Sequence, residues 1–364
     1  MQHENVTAVA TTQTLEPKPT PQSKIVSQIA LVAERYDEAL RRAEARASGQ
    51  PLGPEVAALS PRLHEAIGEA LPIGMTTFDG GPGSGKTAAA IQTAITARTP
   101  AVIVECEVRP VRILDRMIAY HTGTYLGRLL DGSLSPEEIR DLAQRTLDDL
   151  PLVEILDATT SVVTIDEITR EAKALRERHG SAHVLVVLDS MHAWSGRALA
   201  TEKEYDRLTQ AITLVDGAAK RENISVLAIL ERSLATMRTP SATSGKGHAG
   251  LGYSCEIAIN LDVVGQTNLV TGLKRVDMTV SKNRHGEQGF VIPLTFEGRL
   301  QRFAEVVDDS DAEVEVEADT QITGPVQRPE HQIYDEGDDA LDPTTGEPFP
   351  RRRGYEDADL FGAA

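Results

Sequence analysis

Hydrophobic positions change their spacing several times along the chain, and each change predicts a different kind of element. Between residues 60 and 305, short apolar runs rich in β-branched residues alternate with segments whose apolar positions recur every three to four residues. This alternation predicts an α/β fold with a mainly parallel, twisted sheet flanked by helices. The last two or three predicted strands follow one another without helices, so that end of the sheet is expected to be antiparallel.

The predicted strands are 75–78, 101–106, 152–156, 183–189, 225–230, 256–263, 275–282 and 289–295. The predicted helices are 87–97, 111–121, 136–150, 165–179 and 202–222.

A separate amphipathic helix is predicted before this region. Residues 25–47 carry an apolar stripe at helical spacing, and Gly49 and Pro51 stop the pattern. The stripe consists of Ile25, Ile29, Val32, Tyr36 and Leu40. A lone amphipathic helix has to bury its stripe, either on its own domain or on a neighbouring subunit. The sequence leaves both alternatives open.

Charge divides the chain more sharply than hydrophobicity does. The formal net charge is −18, but residues 305–364 hold 18 Asp and Glu residues and four Arg, which is −14 and leaves −4 for the first 304 residues. The predicted division is therefore a disordered segment 1–23, a linker helix segment 24–59, a main domain 60–305 and an acidic disordered tail 306–364.

Composition places few other limits on the chain. The two cysteines, Cys106 and Cys255, have no metal-like spacing, and a reducing cytoplasm is the expected location. No apolar run is long enough for a membrane span, so no membrane partner is predicted. The hydrophobic content of 40% is enough to fill a core.

A phosphate-binding loop of the form G-x-x-x-x-G-K-[ST] is the most specific motif. Its residues are Gly80, Gly81, Pro82, Gly83, Ser84, Gly85, Lys86 and Thr87. The glycines let backbone N–H groups turn inward around a phosphate. Lys86 would reach the β- and γ-phosphates, and the Thr87 hydroxyl would hold Mg²⁺. A strand-like run precedes the loop and a helix-prone segment follows it, so a nucleoside triphosphate is the predicted ligand.

Acidic residues end two of the predicted strands. Asp189 follows an apolar run about 100 residues after the phosphate loop, where such sheets place a residue on the Mg²⁺ side of the nucleotide. Glu105 and Glu107 lie two apart at the end of strand 101–106, and on a strand they would share one face. Either could polarise the attacking water, and Glu107 is favoured over Glu105 as the general base.

Two basic residues end a later strand. Lys282 and Arg284 are also two apart, so both cations are expected to project together. Neighbouring cations repel each other unless an anion joins them, and a γ-phosphate is one candidate. An ordinary solvated strand end is the alternative.

The order and spacing of these motifs resemble the RecA-like ATPases. They are most similar to the motor domain of DnaB-type hexameric replicative helicases and to the related RadA recombination proteins. The resemblance spans about residues 60–305, and the run Lys-Asn-Arg-His-Gly at 282–286 resembles both the DnaB finger pair and the K-N-R-F-G motif of RadA. Further matching segments are 104–107, 131–138, 185–190, 226–231 and 249–258.

The resemblance implies a role for each motif. ATP and Mg²⁺ would be the cofactors, Lys86 and Thr87 would bind them, and Asp189 would lie on the metal side. Glu107 takes the place of the Glu in the family's S-L-E-M strand end and would be the general base. Lys282 and Arg284 would reach the ATP site of a neighbouring subunit, which implies a homo-oligomeric ring, expected to be a hexamer.

The chain also departs from the family pattern. Glu231 stands where the family often has Gln at a position that senses the γ-phosphate. The stretch before residue 60 is too short for the DnaB collar, and no Cys-rich zinc module precedes the motor as in RadA. These departures suggest a reduced motor of the kind found in phage, plasmid and other mobile-element replication.

Single-stranded DNA is the expected polymer partner. The family's two channel loops correspond to residues 195–203 and 233–250, and the second contains Arg238, Lys246 and His248 among small residues. Trp194 is expected to pack in the core and not to stack on a base. In the acidic tail, the segment 356–362 resembles short peptides that dock on sliding clamps, but the tail could equally mimic nucleic acid or keep the protein soluble.

Three functions follow from these observations. The first is an ATP-driven DNA translocase or helicase acting as a ring. The second is a RadA-like recombination or repair ATPase, and the third is a nucleotide-switched loader or regulator of a replication complex.

Overall fold

One nine-stranded sheet organises the residues that the computed structural model describes, which are 28–150, 152–199, 203–231, 255–268 and 271–306. The strands lie in the order β3-β2-β4-β5-β1-β6-β7-β8-β9. They are β1 (Gly74–Gly80), β2 (Ala101–Glu105), β3 (Val153–Asp157), β4 (Leu185–Asp189), β5 (Ser225–Glu231), β6 (Ile257–Val264), β7 (Leu273–Asn283), β8 (Phe290–Glu297) and β9 (Arg302–Glu305). The expected disordered segments 1–23 and 306–364 lie outside the described residues, apart from Val306.

The sheet changes from parallel to antiparallel at β6. Strands β1 to β6 pair in parallel with one another, whereas β7, β8 and β9 add to β6 in successive antiparallel pairs. This confirms the predicted α/β architecture with an antiparallel end. The carboxyl ends of β1, β2, β4 and β5 meet at one edge, which is where open parallel sheets bind ligands.

Nine helices accompany the sheet in the described part of the chain. They are α1 (Gln28–Ser48), α2 (Pro61–Ala66), α3 (Lys86–Thr96), α4 (Pro110–Thr122), α5 (Leu126–Leu130), α6 (Pro136–Asp149), α7 (Ile165–Arg178), α8 (Met191–Ala198) and α9 (Glu204–Glu222). Helices α6 and α7 begin with complete capping boxes, at Ser135 with Glu138 and at Thr164 with Glu167. None of these helices is long and apolar enough to cross a membrane.

Apolar side chains cover both faces of the sheet. One core contains α2, α3 and the start of α4 with strand residues such as Phe78, Ile103 and Leu227. The other core contains α7, α8 and α9 with strand residues such as Val104 and Val186. Because successive side chains of a strand point to opposite faces, the central strands have to be apolar throughout. Strands β2 and β4 are accordingly buried at every position.

Strand β9 is not among the strands predicted from the sequence, because a four-residue strand gives almost no periodic signal. Tertiary contacts hold it. The buried Gln92 of α3 bonds both the N–H group and the carbonyl of Phe303, at 2.8 and 3.0 Å. The ring of Phe303 stacks on Phe296, with centroids 4.4 Å apart. Glu305 ends the strand and accepts a 2.6 Å hydrogen bond from Ser60, which caps α2.

Candidate nucleotide-binding site

The phosphate loop connects β1 to α3 at the carboxyl edge of the sheet. Gly83 and Gly85 have φ angles of +77° and +88°, a conformation that a residue with a Cβ atom rarely adopts. Gly85 also lies against the stacked rings, where an added Cβ atom would come within 2.7 Å of Phe303. The Ser84 hydroxyl is buried without a hydrogen-bond partner. This cradle of glycines at a helix N-terminus fits an anionic phosphate chain.

Gly80 is required for a different reason, because its φ angle is not positive. An added Cβ atom would lie 2.5 Å from the backbone oxygen of Leu261 on β6 and 2.7 Å from the Ser84 hydroxyl. The loop therefore leaves the sheet in direct contact with the neighbouring strand.

We expect Gly80→Ala to lower the free energy of unfolding by about 2–3 kcal/mol, because the extra methyl group forces β1 and β6 apart. Urea unfolding measures the loss. Gly127→Ala is the matched control: an added Cβ atom at Gly127 in α5 meets no atom within 4 Å, so that variant should be at least as stable as the wild type. Equal stability of the Gly80 and Gly127 variants would contradict the contact.

The side chain of Lys86 folds back over the phosphate loop. Its ammonium group donates hydrogen bonds to the carbonyls of Gly80, at 2.8 Å, and Gly81, at 3.1 Å. Burial lowers the pKa of Lys86, and nearby carboxylates, the largest contribution coming from Glu231, oppose that shift. Lys86 thus places a cation among the carboxylates of this sheet edge, at the position where phosphate oxygens would approach the loop.

Thr87 and Asp189 join the phosphate loop to β4. Asp189 ends that strand, is only 6% exposed and accepts a hydrogen bond from the Thr87 side chain. Burial raises the pKa of Asp189 to about 7, and the charge of Glu105 adds to the shift. A hydroxyl beside a carboxylate is an oxygen donor set of the kind that Mg²⁺ uses together with water and phosphate oxygens. The two residues therefore fit the metal side of a nucleotide.

The raised pKa of Asp189 predicts a pH-dependent stability. Its folded-state pKa of about 7 exceeds the ordinary value of 3.8, so between these values the folded protein holds a proton that the unfolded chain has released. Stability therefore falls as pH rises through this window, by at most about 1.4 kcal/mol per pH unit. Asp189→Asn removes the titration while keeping an oxygen that accepts from Thr87.

The expected result is that Asp189→Asn gains stability relative to the wild type from pH 5 to pH 7 and gains little above pH 8. Urea unfolding of both proteins without nucleotide, at each pH unit, measures the difference. A difference that is the same at every pH would contradict the assignment.

The structure corrects the expected geometry of the two glutamates. Strand β2 ends at Glu105, so Glu105 and Glu107 do not share the face of one strand. Glu105 is fully buried, and one of its oxygens accepts hydrogen bonds from the N–H groups of Glu107, at 2.7 Å, and Val108, at 2.8 Å. Burial raises its pKa. Glu105 therefore shapes the turn, whereas the exposed Glu107 presents its carboxylate beside Ser190.

Three further residues lie at this edge that the sequence does not predict as nucleotide-site residues, although one of them falls in the predicted channel loop 195–203. The Ser190 hydroxyl donates to Glu107, and Arg197 donates to the Cys106 carbonyl. Lys274, at the start of β7, donates a 3.3 Å hydrogen bond to the carbonyl of Gly83 in the phosphate loop. Ser190 directly follows Asp189, but the three contacts join residues 83, 91 and 191 positions apart, so no local motif reveals them.

Lys282 and Arg284 converge, as predicted, but at the opposite edge of the sheet. Both side chains donate to the carbonyl of Cys255. Lys282 pairs with Ala258 of β6. The backbone N–H group of Arg284 donates to the carbonyl of Glu256, and the N–H group of Glu256 donates to the carbonyl of Met75, near the start of β1. Along β1, the five residue steps from Met75 to Gly80 span about 16 Å. The cations therefore lie away from the phosphate loop of their own chain.

An ion-pair network surrounds this cation pair. Glu256 is 8% exposed and contacts Lys220 at 2.7 Å and His285 at 3.1 Å. Lys220 also pairs with Asp216 at 2.8 Å. Burial lowers the pKa of Lys282, and the positive charge of Arg284 adds to the shift. Arg284 itself is exposed, so its guanidinium is accessible from outside the chain.

The residues expected to meet DNA are only partly described. Trp194 is 2% exposed and its indole N–H group donates a 2.8 Å hydrogen bond to the Val163 carbonyl, which confirms that it packs in the core. The first predicted channel loop begins in the last turn of α8. Its residues 200–202, the whole second loop 233–250 and the clamp-like peptide 356–362 lie outside the described residues.

A phosphate loop at a helix N-terminus, acidic strand ends beside it and a mainly parallel sheet with an antiparallel end define a RecA-like P-loop ATPase. A model of the DnaB-like helicase C-terminal domain family matches residues 62–305. The chain belongs to that family.

Solved structures agree with this fold. A structure described as an ATPase domain superposes with a TM-score of 0.61 at 14% sequence identity, over 76% of this chain and 98% of that one. A DnaB-like replicative helicase, described with its interactions with primase, superposes with a TM-score of 0.59 at 14% identity, over 76% of this chain and 69% of that one. A search of curated proteins finds no match.

Proposed function

We propose that this chain is an ATP-driven DNA translocase or helicase that works as a homo-oligomeric ring, a hexamer, in replication. The observation that carries the proposal is the arrangement of Lys86, Thr87, Asp189 and Glu107 at one edge of the sheet of a DnaB-like domain. These residue types are the ones that ATP hydrolysis requires: a phosphate-binding cation, metal ligands and a base.

Each residue has a distinct part in the proposed reaction. The glycines of the loop offer N–H groups to the phosphates, and Lys86 neutralises the β- and γ-phosphate oxygens. Thr87 and Asp189 would hold Mg²⁺, which when bound polarises the γ-phosphate and offsets its charge. Glu107 orients the attacking water and takes its proton.

The distance between the cation pair and the phosphate loop supports shared sites. Lys282 and Arg284 cannot serve their own nucleotide from the opposite edge of the sheet, but in a head-to-tail ring that edge faces the phosphate loop of the next subunit. A cation that reaches the γ-phosphate from a neighbour would complete each site. We therefore assign both residues as fingers acting in trans.

Helix α1 supports the same assembly. Four large apolar residues among the described side chains of this helix are exposed: Leu31, Val32, Tyr36 and Leu40. Val32 and Tyr36 are 71% and 68% exposed, so the described part of the stripe, Val32, Tyr36 and Leu40, is not packed on the helix's own domain. Of the two alternatives that the sequence left open, docking on a neighbouring subunit is the one we propose.

Steady-state ATP hydrolysis with and without single-stranded DNA tests the proposed function. DNA should stimulate the rate several-fold, and Lys86→Ala should abolish hydrolysis because the phosphates lose their cation. Lys173→Ala is the matched control. Lys173 lies on the surface of α7, away from the phosphate loop, and forms an ion pair with Glu222 at the end of α9. Unwinding of a forked duplex then distinguishes a helicase from a translocase.

Two outcomes would replace this proposal with the alternatives. A preference for branched DNA over simple forks would favour a RadA-like recombination ATPase. Slow hydrolysis that ignores DNA would favour a nucleotide-switched loader, and deletion of residues 307–364 should then abolish binding of its replication partner, for which a sliding clamp is the first candidate.

A further inference from the structure

The turn that carries Glu107 is fixed mostly by contacts from other elements. Residues 106–109 lie between the end of β2 and the start of α4 and belong to no helix or strand. Within the turn region, Glu105 holds the backbone N–H groups of Glu107 and Val108. Nothing in these local bonds directs the Glu107 carboxylate, because a glutamate side chain has several rotatable bonds and is exposed here.

Ser190 supplies a contact that directs the carboxylate. Its hydroxyl donates a hydrogen bond to Glu107 and accepts one from the N–H group of Ala193, at 3.3 Å, as the N-cap of α8. A serine hydroxyl has one proton to donate and two lone pairs, so both roles are met at once. Ser190 is 1% exposed, which fixes its own position.

Arg197, one residue before the end of α8, holds the backbone of the same turn. Its guanidinium donates to the carbonyl of Cys106, the residue before Glu107, and at 2.6 Å to the carbonyl of Ala158. The N–H group of Cys106 in turn donates to the Asp189 carbonyl, at 2.7 Å. Both ends of α8 therefore contact the turn. Ser190, at its start, bonds the Glu107 carboxylate, and Arg197, near its end, bonds the backbone.

We propose that Ser190 and Arg197 are positioning residues for ATP hydrolysis, in which Ser190 orients the Glu107 carboxylate and Arg197 fixes the backbone that carries it. This inference rests on the proposed role of Glu107 as the general base. Glu107 is hydrogen-bonded to Ser190, Ser190 directly follows Asp189, and Asp189 is hydrogen-bonded to Thr87. Two hydrogen bonds and one peptide bond therefore connect the base to the metal side of the site. A base fixed in this way loses little entropy when the attacking water binds.

A purely structural role for Ser190 is the competing explanation, since loss of a helix N-cap by itself costs stability. The chain offers a matched control in Ser135, the N-cap of α6. Ser135→Ala removes an equivalent cap on an exposed helix that has no contact with Glu107. Ser190→Thr restores a hydroxyl and a cap, and Arg197→Met removes the donors while keeping most of the side-chain length.

The experiment measures ATP hydrolysis and nucleotide binding for these variants in the full chain. Ser190→Ala is expected to lower kcat about 10- to 50-fold, the effect of losing one hydrogen bond to a charged group. Its KM and its affinity for ADP should change by less than about twofold. Arg197→Met should show the same pattern, Ser135→Ala should keep the wild-type kcat, and Ser190→Thr should recover most of it.

A second measurement does not depend on turnover. ADP with aluminium fluoride imitates the transition state, in which an oriented water contributes to binding. Ser190→Ala should weaken binding of this complex about tenfold more than it weakens binding of ADP.

Three results would overturn the inference. They are an unchanged or raised kcat in Ser190→Ala, a parallel loss of ADP binding, and equal effects of Ser190→Ala and Ser135→Ala. Failure of the proposed function looks different, because wild-type hydrolysis would then be absent or insensitive to Lys86→Ala. In that case the inference fails together with the proposed function, because Ser190 and Arg197 would then have no general base to position.

Discussion

Glu107→Gln is expected to lower kcat for ATP hydrolysis by about 100-fold or more, because the amide cannot take a proton from the attacking water. The substitution keeps the size of the side chain and an oxygen that accepts from Ser190. ATP binding should therefore stay within about threefold of the wild-type value. Single-turnover hydrolysis, together with equilibrium binding of a fluorescent ATP analogue, separates the two effects.

Glu105→Gln is the matched comparison. Its remaining oxygen can still accept from the N–H groups of Glu107 and Val108, so the turn is retained. We expect its kcat to fall by less than about fivefold, with some loss of stability because the buried amide adds donors that lack a partner. The reverse order, with Glu105→Gln inactive and Glu107→Gln active, would show that the base has been assigned to the wrong residue.

Arg284→Ala is expected to reduce ATP hydrolysis about 1000-fold, the magnitude of a lost finger cation. The guanidinium is exposed at the edge of the sheet opposite the phosphate loop, so each chain's own ATP affinity should change little. Arg170→Ala is the control, because that arginine is exposed on α7 and forms an ion pair with its neighbour Glu171.

The oligomeric state is measured beside the rate. Light scattering should give the same mass for Arg284→Ala and the wild type, because Arg284 acts on the nucleotide and is not proposed to hold the ring together. A variant that is active as a ring would rule out the finger role, whereas a variant that falls apart would make Arg284 an assembly residue.

Most of the fold could be predicted because its strands and longer helices are strongly patterned. The predicted strand 183–189 begins two residues before β4 and ends, as β4 does, at Asp189. The elements that were missed are short. Helix α5 has five residues and β9 has four, and β9 exists because Gln92 and Phe296 hold it. The contact between Gln92 and Phe303 joins residues about 200 positions apart and leaves no local signal.

The site could be predicted to the extent that it is local in sequence. The phosphate loop is one continuous motif, and Asp189 was expected beside it. The geometry of Glu105 and Glu107 could not be predicted, because the sequence does not reveal that β2 ends at Glu105. Ser190 and Arg197 reach the turn from 83 and 91 residues away, so only the folded chain identifies them.

Mixing two inactive variants tests the central claim, an ATPase whose sites are shared between neighbouring subunits. Lys86→Ala lacks the cation of the phosphate loop, and Arg284→Ala lacks the finger. In a mixed ring, a subunit with Arg284→Ala still has Lys86 in its phosphate loop, and a subunit with Lys86→Ala still has Arg284 as its finger. Where this loop faces this finger, the site is intact. Equimolar mixing should therefore restore about one quarter of the wild-type ATPase rate, if subunits assort randomly and sites act independently. A mixture that shows subunit exchange yet stays as inactive as its components would contradict the account.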